Sequence, residues 1–292
     1  MPLKADKTAY IHGIRDREFG AIFGRCAAGT FARALELGAG DGYVSTLLAP
    51  LCGRLVCTDI NDHRLRRRDV PNAEYRVCDA EQVGEAFDGE QFDLIFSSNL
   101  LEHLPDPDRA LDGMQRLLCD DGVAVHVLPN RWWKLVTVAL HAPNKIAKTL
   151  DRWLFARSTR RDKTPRPYTG NNPKKRARRQ FFLAKPFVPR VHGASRTTVG
   201  EFVAFGVRRW RRRFERAGLE VLAIRPACFS SGYGFDRPGL RRAMERLGIH
   251  TCTAFVLAHR GRRPPAAEML LRQGRRYRSA SAAAIKSSNV RR

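Results

Sequence analysis

"LELGAGDGYVS", residues 35–45, places three glycines at positions 38, 40 and 42 between an apolar run and a run typical of a helix. Glycine has no Cβ atom, so it allows the backbone to adopt positive φ and to approach a ligand closely. A strand, a glycine-rich turn and a helix together form the arrangement by which α/β proteins hold nucleotide-like cofactors. The stretch therefore predicts a cofactor site at the end of a strand, without saying which cofactor.

Apolar strands and helical segments alternate on both sides of this turn. Four further strands are predicted by "RLVCTDI", "AEYRVCDA", "QFDLIFSSN" and "VAVHVLP". Residues 106–122 carry helix-end signals, with acids and Pro107 at the start and Gly122 at the end. Five apolar strands separated by helices predict a parallel sheet with helices on both faces, which is an α/β fold.

The glycine spacing differs from that of a dinucleotide site, because the third glycine comes one residue early. With Glu36 ahead of it, the turn reads E-x-G-x-G-x-G, and Asp59 and Asp79 follow the next two strands. In these features residues 30–130 resemble class I S-adenosylmethionine (SAM)-dependent methyltransferases. "FDLIFSSNLLEHLPDPDRAL", residues 92–111, resembles the UbiE/UbiG-like, methyltransferase type 11 branch of that class.

The resemblance implies a Rossmann-like sheet of seven mostly parallel strands, with the last strand, "HTCTAFVLAHR", antiparallel and a basic insertion after strand five. SAM is the implied cofactor. Asp59 is expected to bind both ribose hydroxyls, since a carboxylate can accept two hydrogen bonds. The implied cofactor-binding residues lie at strand ends. Glu36, Gly38, Ala39 and Gly40 are expected to hold the methionine part, and Asp59 the ribose. Ile60 is expected to lie against the adenine, Asp79 with Ala80 to bind the adenine amino group, and Asn99 to complete the set.

Two histidines are candidates for catalysis. His103 follows strand four, where the resembling branch carries Glu-His, and it either lines the acceptor pocket or orders the loop. His192 precedes a late helix and could approach the site from the insertion. His126 lies within an apolar strand, which favours a buried core histidine.

Charge is distributed unevenly along the 292 residues, whose net charge is +24. Residues 1–130 hold 14 Lys and Arg against 21 Asp and Glu, whereas the remainder holds 39 against 8. We expect an N-terminal helix in residues 1–30, a methyltransferase domain over 31–260, a basic and aromatic insertion or lid at 131–198, and a basic, disordered tail at 261–292. Within the late helix, Phe202, Phe205, Trp210 and Phe214 are expected to face the sheet.

The favoured reaction is methyl transfer from SAM to an oxygen of a small, glycan or lipid-linked acceptor. The insertion interleaves aromatic and basic residues, including Arg131, Trp132, Trp133 and Lys134, which suits contact with an anionic membrane surface. An RNA methyltransferase using the basic half is the alternative, although no D/N-P-P-Y/F signature follows strand four. A SAM-binding partner without catalysis is a third class.

Seven cysteines without a C-x-x-C pair predict reduced thiols in a cytoplasmic protein, with neither a disulfide framework nor a metal site. No apolar run reaches the roughly 18 residues that a spanning helix needs. The sequence therefore predicts a cytoplasmic enzyme, with peripheral contact at the inner membrane face as an added possibility.

Overall fold

Seven strands form one sheet in the computed structural model, which describes residues 7–63, 65, 68–141, 197–230 and 238–271. The strands are β1 Phe31–Leu37, β2 Cys52–Asp59, β3 Ala73–Val77, β4 Phe92–Ser98, β5 Leu118–Pro129, β6 Leu219–Pro226 and β7 Cys252–His259. The helices in these ranges are α1 Lys7–Phe23, α2 Tyr43–Leu48, α3 Val83–Ala86, α4 Pro107–Leu117, α5 over 131–141, α6 Thr198–Ala204, α7 Val207–Arg216, α8 Pro238–Arg246 and α9 over 265–271.

The strand order is β3-β2-β1-β4-β5-β7-β6. The first five strands pair in parallel, and β7 runs antiparallel to both β5 and β6. Leu37 at the end of β1 pairs with Thr58 of β2 and with Ser97 of β4, so these strands end at the same edge. Strand order reverses between β1 and β4, and open α/β sheets bind ligands outside the carboxyl ends at such a point. The predicted seven-stranded fold is confirmed.

Two apolar clusters cover the faces of the sheet, because successive strand side chains point to opposite sides. One cluster includes residues of α1, α2 and α9, and the other includes residues of α3, α4 and α7. Phe205, Trp210 and Phe214 are buried, as predicted. The predicted single late helix is divided into α6 and α7, and Phe205 lies between them. Phe202 is half-buried, and the Arg131 guanidinium lies 5.3 Å from its ring centroid.

The predicted disordered tail is wrong for residues 261–271. This segment includes α9, in which Ala267 and Leu270 are buried against the first cluster. Arg225 also donates a hydrogen bond to the Leu271 carbonyl. The Arg- and Ala-rich composition concealed two apolar positions three residues apart, which lie on one side of a helix. Residues 272–292 lie outside the described ranges, as do residues 142–196 of the predicted insertion.

Candidate cofactor and active site

The glycine turn joins β1 to α2 at the carboxyl edge of the sheet. Gly38, Gly40 and Gly42 all adopt positive φ, at 74°, 57° and 69°. The positive φ favours glycine at position 38, and a Cβ atom there would lie 3.1 Å from a methyl group of Leu100, which would have to shift. The Ala39 N–H donates to the Thr58 carbonyl over 2.8 Å, which fixes the turn against the end of β2.

Asp59 connects this turn to the loop after β2. Its Oδ2 accepts from the Gly40 N–H and its Oδ1 from the Asn61 N–H, both at 3.0 Å. Each carboxylate oxygen keeps a further lone pair for a ligand hydroxyl. The next residue, Ile60, exposes 67% of its surface, which is unusual for a large aliphatic side chain at a strand end. An acid and an exposed apolar side chain therefore stand together at this edge.

Asp79 follows β3 at the same edge. Its Oδ1 accepts from the Glu81 N–H at 3.0 Å and caps a short 3₁₀ turn at Ala80–Gln82. Ala80 is buried at the start of that turn. The structure thus places Asp59 at the end of β2 and Asp79 just after the adjacent parallel strand β3, as the sequence predicted.

Glu36 is buried inside β1 beneath the turn. Burial raises the pKa of Glu36 to about 7, although the Ser45 hydroxyl donates a hydrogen bond that favours the charged form. The carboxylate thus ties β1 to α2 from within the domain. Its direct role in cofactor binding stays a prediction.

Asn99 directly follows β4 and has a φ of 52°. Among the described residues other than glycine, it is the one with positive φ. Asparagine tolerates this region better than most residues, and unusual backbone conformations are common at ligand sites. The Asn99 N–H donates to the Val127 carbonyl at 2.8 Å, and its Nδ2 donates to Ser98 Oγ at 3.0 Å. Asn99 is therefore held at the strand end beside the glycine turn.

Helix α1 packs over the glycine turn, a contact that the sequence did not predict. The His12 ring stacks on Tyr43 with centroids 3.7 Å apart, and His12 Nε2 donates to Asp41 Oδ2 at 2.6 Å. Partial burial opposes ionisation of Asp41, but hydrogen bonds from His12 and the Tyr43 N–H outweigh it and lower the pKa of Asp41. Contacts with α1 therefore hold the glycine turn in place.

His103 lies just after β4 with 40% of its side chain exposed. Its neighbour Glu102 is almost completely buried, and His103 Nε2 is 3.7 Å from Glu102 Oε1. Burial raises the pKa of Glu102 to about 8, despite hydrogen bonding to the backbone and the charge of Arg15. The Glu-His pair indicated His103 as a candidate in the sequence, but the sequence did not predict the burial of Glu102. The catalytic role of His103 stays a prediction, and His192 lies outside the described residues.

His126 is a core residue. It is fully buried in β5, its Nδ1 is 2.8 Å from Ser97 Oγ, and its ring stacks on Phe214. Burial lowers the pKa of His126 to about 3, so the ring is neutral at physiological pH. This position agrees with the expectation of a structural histidine.

The strand order, the glycine turn and the acids after β2 and β3 together define a class I methyltransferase fold. Residues 35–126 match a family model described as a methyltransferase domain, Methyltransf_11, and this segment is a methyltransferase domain of that family. The match includes Glu36, the glycine turn, Asp59, Asp79 and His103.

Similar proteins include two enzymes named ubiquinone biosynthesis O-methyltransferase. The one from Ruegeria sp. (strain TM1040) is 30% identical over 128 residues, covering 42% of this chain and 49% of the relative. The one from Ruegeria pomeroyi is 31% identical over 153 residues, covering 50% and 58%. The chain spans about half the length of the curated relatives it matches.

One solved structure with the same fold comes from Listeria monocytogenes and is provisionally assigned as an S-adenosylmethionine-dependent methyltransferase. It has a TM-score of 0.51 and 12% identity, covering 86% of this chain and 99% of the other. At 12% identity, this similarity is evidence for a shared fold only. Within the described residues, no helix is both long and apolar enough to cross a membrane.

Proposed function

We propose that this protein binds SAM at the carboxyl edge of β1, β2 and β3 and transfers its methyl group to an oxygen of a small-molecule acceptor. The observation that carries the proposal is the positive-φ glycine turn, linked to Asp59 through the Gly40 N–H. The family match over residues 35–126 supports a methyltransferase, and the named relatives support oxygen as the acceptor atom. A glycan or a lipid-linked compound is proposed as an acceptor alongside a small molecule.

The residues at this edge fit SAM chemically. Asp59 would accept from the ribose hydroxyls, Ile60 offers apolar surface to the adenine, and Asp79 would accept from its amino group. The glycine turn leaves its backbone open to the methionine part. SAM supplies a methyl group already activated by the sulfonium, so the protein mainly has to align the acceptor.

We place His103 at the acceptor as the group that receives the hydroxyl proton. Its position after β4 and its partial exposure support this role, since a general base must reach its substrate. His103→Gln is expected to reduce methyl transfer about 100-fold or more while leaving S-adenosylhomocysteine (SAH) affinity unchanged. The assay is transfer of radiolabelled methyl to a panel of phenolic and sugar hydroxyls. Full activity in the variant would remove His103 from the reaction.

Helix α5 supports a peripheral contact with an anionic membrane surface. Trp132, Leu135 and Val138 recur every three residues and are exposed, whereas Lys134 and Thr137 are buried. The expectation that Lys134 lies on the outer surface is therefore wrong, because the polar side of this helix faces the protein. We assign the contact to the apolar side together with the exposed Arg131.

Co-sedimentation with phosphatidylglycerol vesicles tests this contact. Trp132→Ala should reduce binding, and added salt should weaken it. The RNA alternative gains no support from the named relatives, and an RNA arm tests it directly. Steeply salt-dependent RNA binding without vesicle binding would reverse this order.

A further inference from the structure

Two cysteines and a glutamate meet in the protein interior. Cys228 follows β6, Cys252 begins β7, and Glu18 lies in α1. The two Sγ atoms and one carboxylate oxygen all lie within 4.8 Å of one another. Each of the three residues is at most 3% exposed. Three side chains of the kinds that bind metal ions are therefore enclosed together.

Backbone hydrogen bonds hold the two cysteines side by side. The Cys252 N–H donates to the Cys228 carbonyl over 3.2 Å, and the Ala227 N–H donates to the Cys252 carbonyl over 3.0 Å. These bonds continue the antiparallel pairing of β6 with β7. Both cysteines are free thiols. The two sulfurs are therefore presented by the sheet itself, where ligand positions are better defined than on loops.

The two carboxylate oxygens of Glu18 have different surroundings. Oε1 lies 3.5 Å from Cys228 Sγ, whereas Oε2 accepts from Arg15 Nη1 at 2.6 Å and from Ser98 Oγ at 3.3 Å. In a tetrahedral zinc site, Zn–S and Zn–O bonds of about 2.3 and 2.0 Å place sulfur and oxygen about 3.5 Å apart. Carboxylates that bind metals are themselves held by hydrogen bonds. Glu18 therefore has the geometry of a ligand through Oε1 that is held in place through Oε2.

The charges of these groups balance around a divalent cation. Arg15 and Glu18 form an ion pair, so the group is neutral while both thiols are protonated. When a divalent cation binds, the two thiols release their protons to water, and the two thiolates match the charge of the ion. The buried group is therefore neutral with or without the ion, which avoids the cost of an uncompensated charge in the interior.

We propose that Glu18, Cys228 and Cys252 bind a Zn²⁺ ion. Thiolate ligands favour zinc over the hard cations Mg²⁺ and Ca²⁺, and carboxylate oxygen completes many zinc sites. Three protein ligands leave one tetrahedral position. Ser230 Oγ, 3.9 Å from Cys252 Sγ, is placed to fill that position or to hold a water molecule there.

The ion would fasten α1 to the ends of β6 and β7. Helix α1 also contacts the glycine turn through His12, so the ion has a structural role next to the proposed cofactor site. The sequence predicted no metal site because it has no C-x-x-C pair. That pattern detects ligands close together in the chain, whereas these three come from segments that only the fold brings together.

The test is titration of Co²⁺ into the full chain after reduction and removal of bound metal. Cobalt bound by thiolates has a charge-transfer absorption that cobalt bound only by oxygen or histidine lacks. Wild type should show this absorption, with saturation at one Co²⁺ per chain and displacement by Zn²⁺. Cys228→Ser, Cys252→Ser and Glu18→Gln should each weaken binding at least about tenfold, since loss of an outer partner alone has this effect. Cys52→Ser, at a buried thiol that donates to the Leu48 carbonyl, is the control and should titrate like wild type.

Urea unfolding separates a metal ligand from a residue that only packs. Zn²⁺ should raise the unfolding midpoint of wild type and of Cys52→Ser, and it should leave the midpoints of Cys228→Ser and Cys252→Ser unchanged. Absence of the thiolate absorption in reduced wild type would overturn the proposal without reference to any variant. An absorption that both cysteine variants retain at wild-type affinity would also overturn it, because the thiolates would then lie elsewhere.

Discussion

Glu102→Gln is expected to stabilise the free protein as pH rises. The pKa of Glu102 is about 8 in the folded protein, against 4.5 for a free glutamate side chain. The folded state therefore binds more protons than the unfolded state between these values, and stability falls as pH increases through this range. The difference corresponds to about 5 kcal/mol at full ionisation, at 1.36 kcal/mol per unit.

Glutamine has nearly the same shape and carries no charge, so the variant avoids this cost. The assay is urea unfolding of wild type and Glu102→Gln from about pH 5 to about pH 9, compared as a difference at each pH. The advantage of the variant should grow with pH up to about pH 8, level off above the folded pKa of Glu102, and reach a few kcal/mol. The contribution of Glu36, whose pKa is also raised, is common to both proteins and cancels.

Asp88→Asn supplies the control, because an exposed acid should produce no such trend. A difference between wild type and Glu102→Gln that does not change with pH would refute the reasoning. So would a variant less stable than wild type at alkaline pH, because the groups that favour the charge of Glu102 would then outweigh the effect of its burial.

Two further predictions concern packing. Gly38→Ala should lower the free energy of unfolding by about 1–3 kcal/mol, because φ is positive and the new Cβ contacts Leu100. Gly20→Ala should raise the free energy of unfolding by about 0.5–1 kcal/mol, because Gly20 lies within α1 and a Cβ there has open space. Leu270→Ala should cost about 2–5 kcal/mol if α9 packs on the core, whereas the exposed Met269→Ala should change stability by less than about 0.5 kcal/mol. Both pairs are measured by urea unfolding, and equal effects within a pair would contradict the packing described.

The features at the strand ends were predictable from sequence because they depend on local spacing. The glycines and acids each sit within a few residues of an apolar run, and strand ends of a parallel sheet meet at one edge. Asp59 at the end of β2 and Asp79 just after β3 lie at one edge for this reason. The antiparallel last strand came from the resemblance rather than from periodicity.

The features that sequence missed depend on contacts between distant segments. His12 meets Asp41 across 29 residues, and Glu18 meets Cys228 across 210 residues. In α5 the sequence pattern indicated an apolar side and a polar side of the helix, but it did not indicate which side is buried. Lys134 faces inward and Trp132 outward, opposite to the usual arrangement of a helix on a core.

Titration of the purified chain with SAH tests the central claim most directly. The account predicts binding of one SAH per chain, and Asp59→Ala should weaken it about tenfold or more through the lost ribose hydrogen bonds. Asp88→Ala, at the opposite edge of the sheet, should bind like wild type. Absence of SAH binding by the wild-type protein, or unchanged affinity in a folded Asp59→Ala variant, would contradict the account.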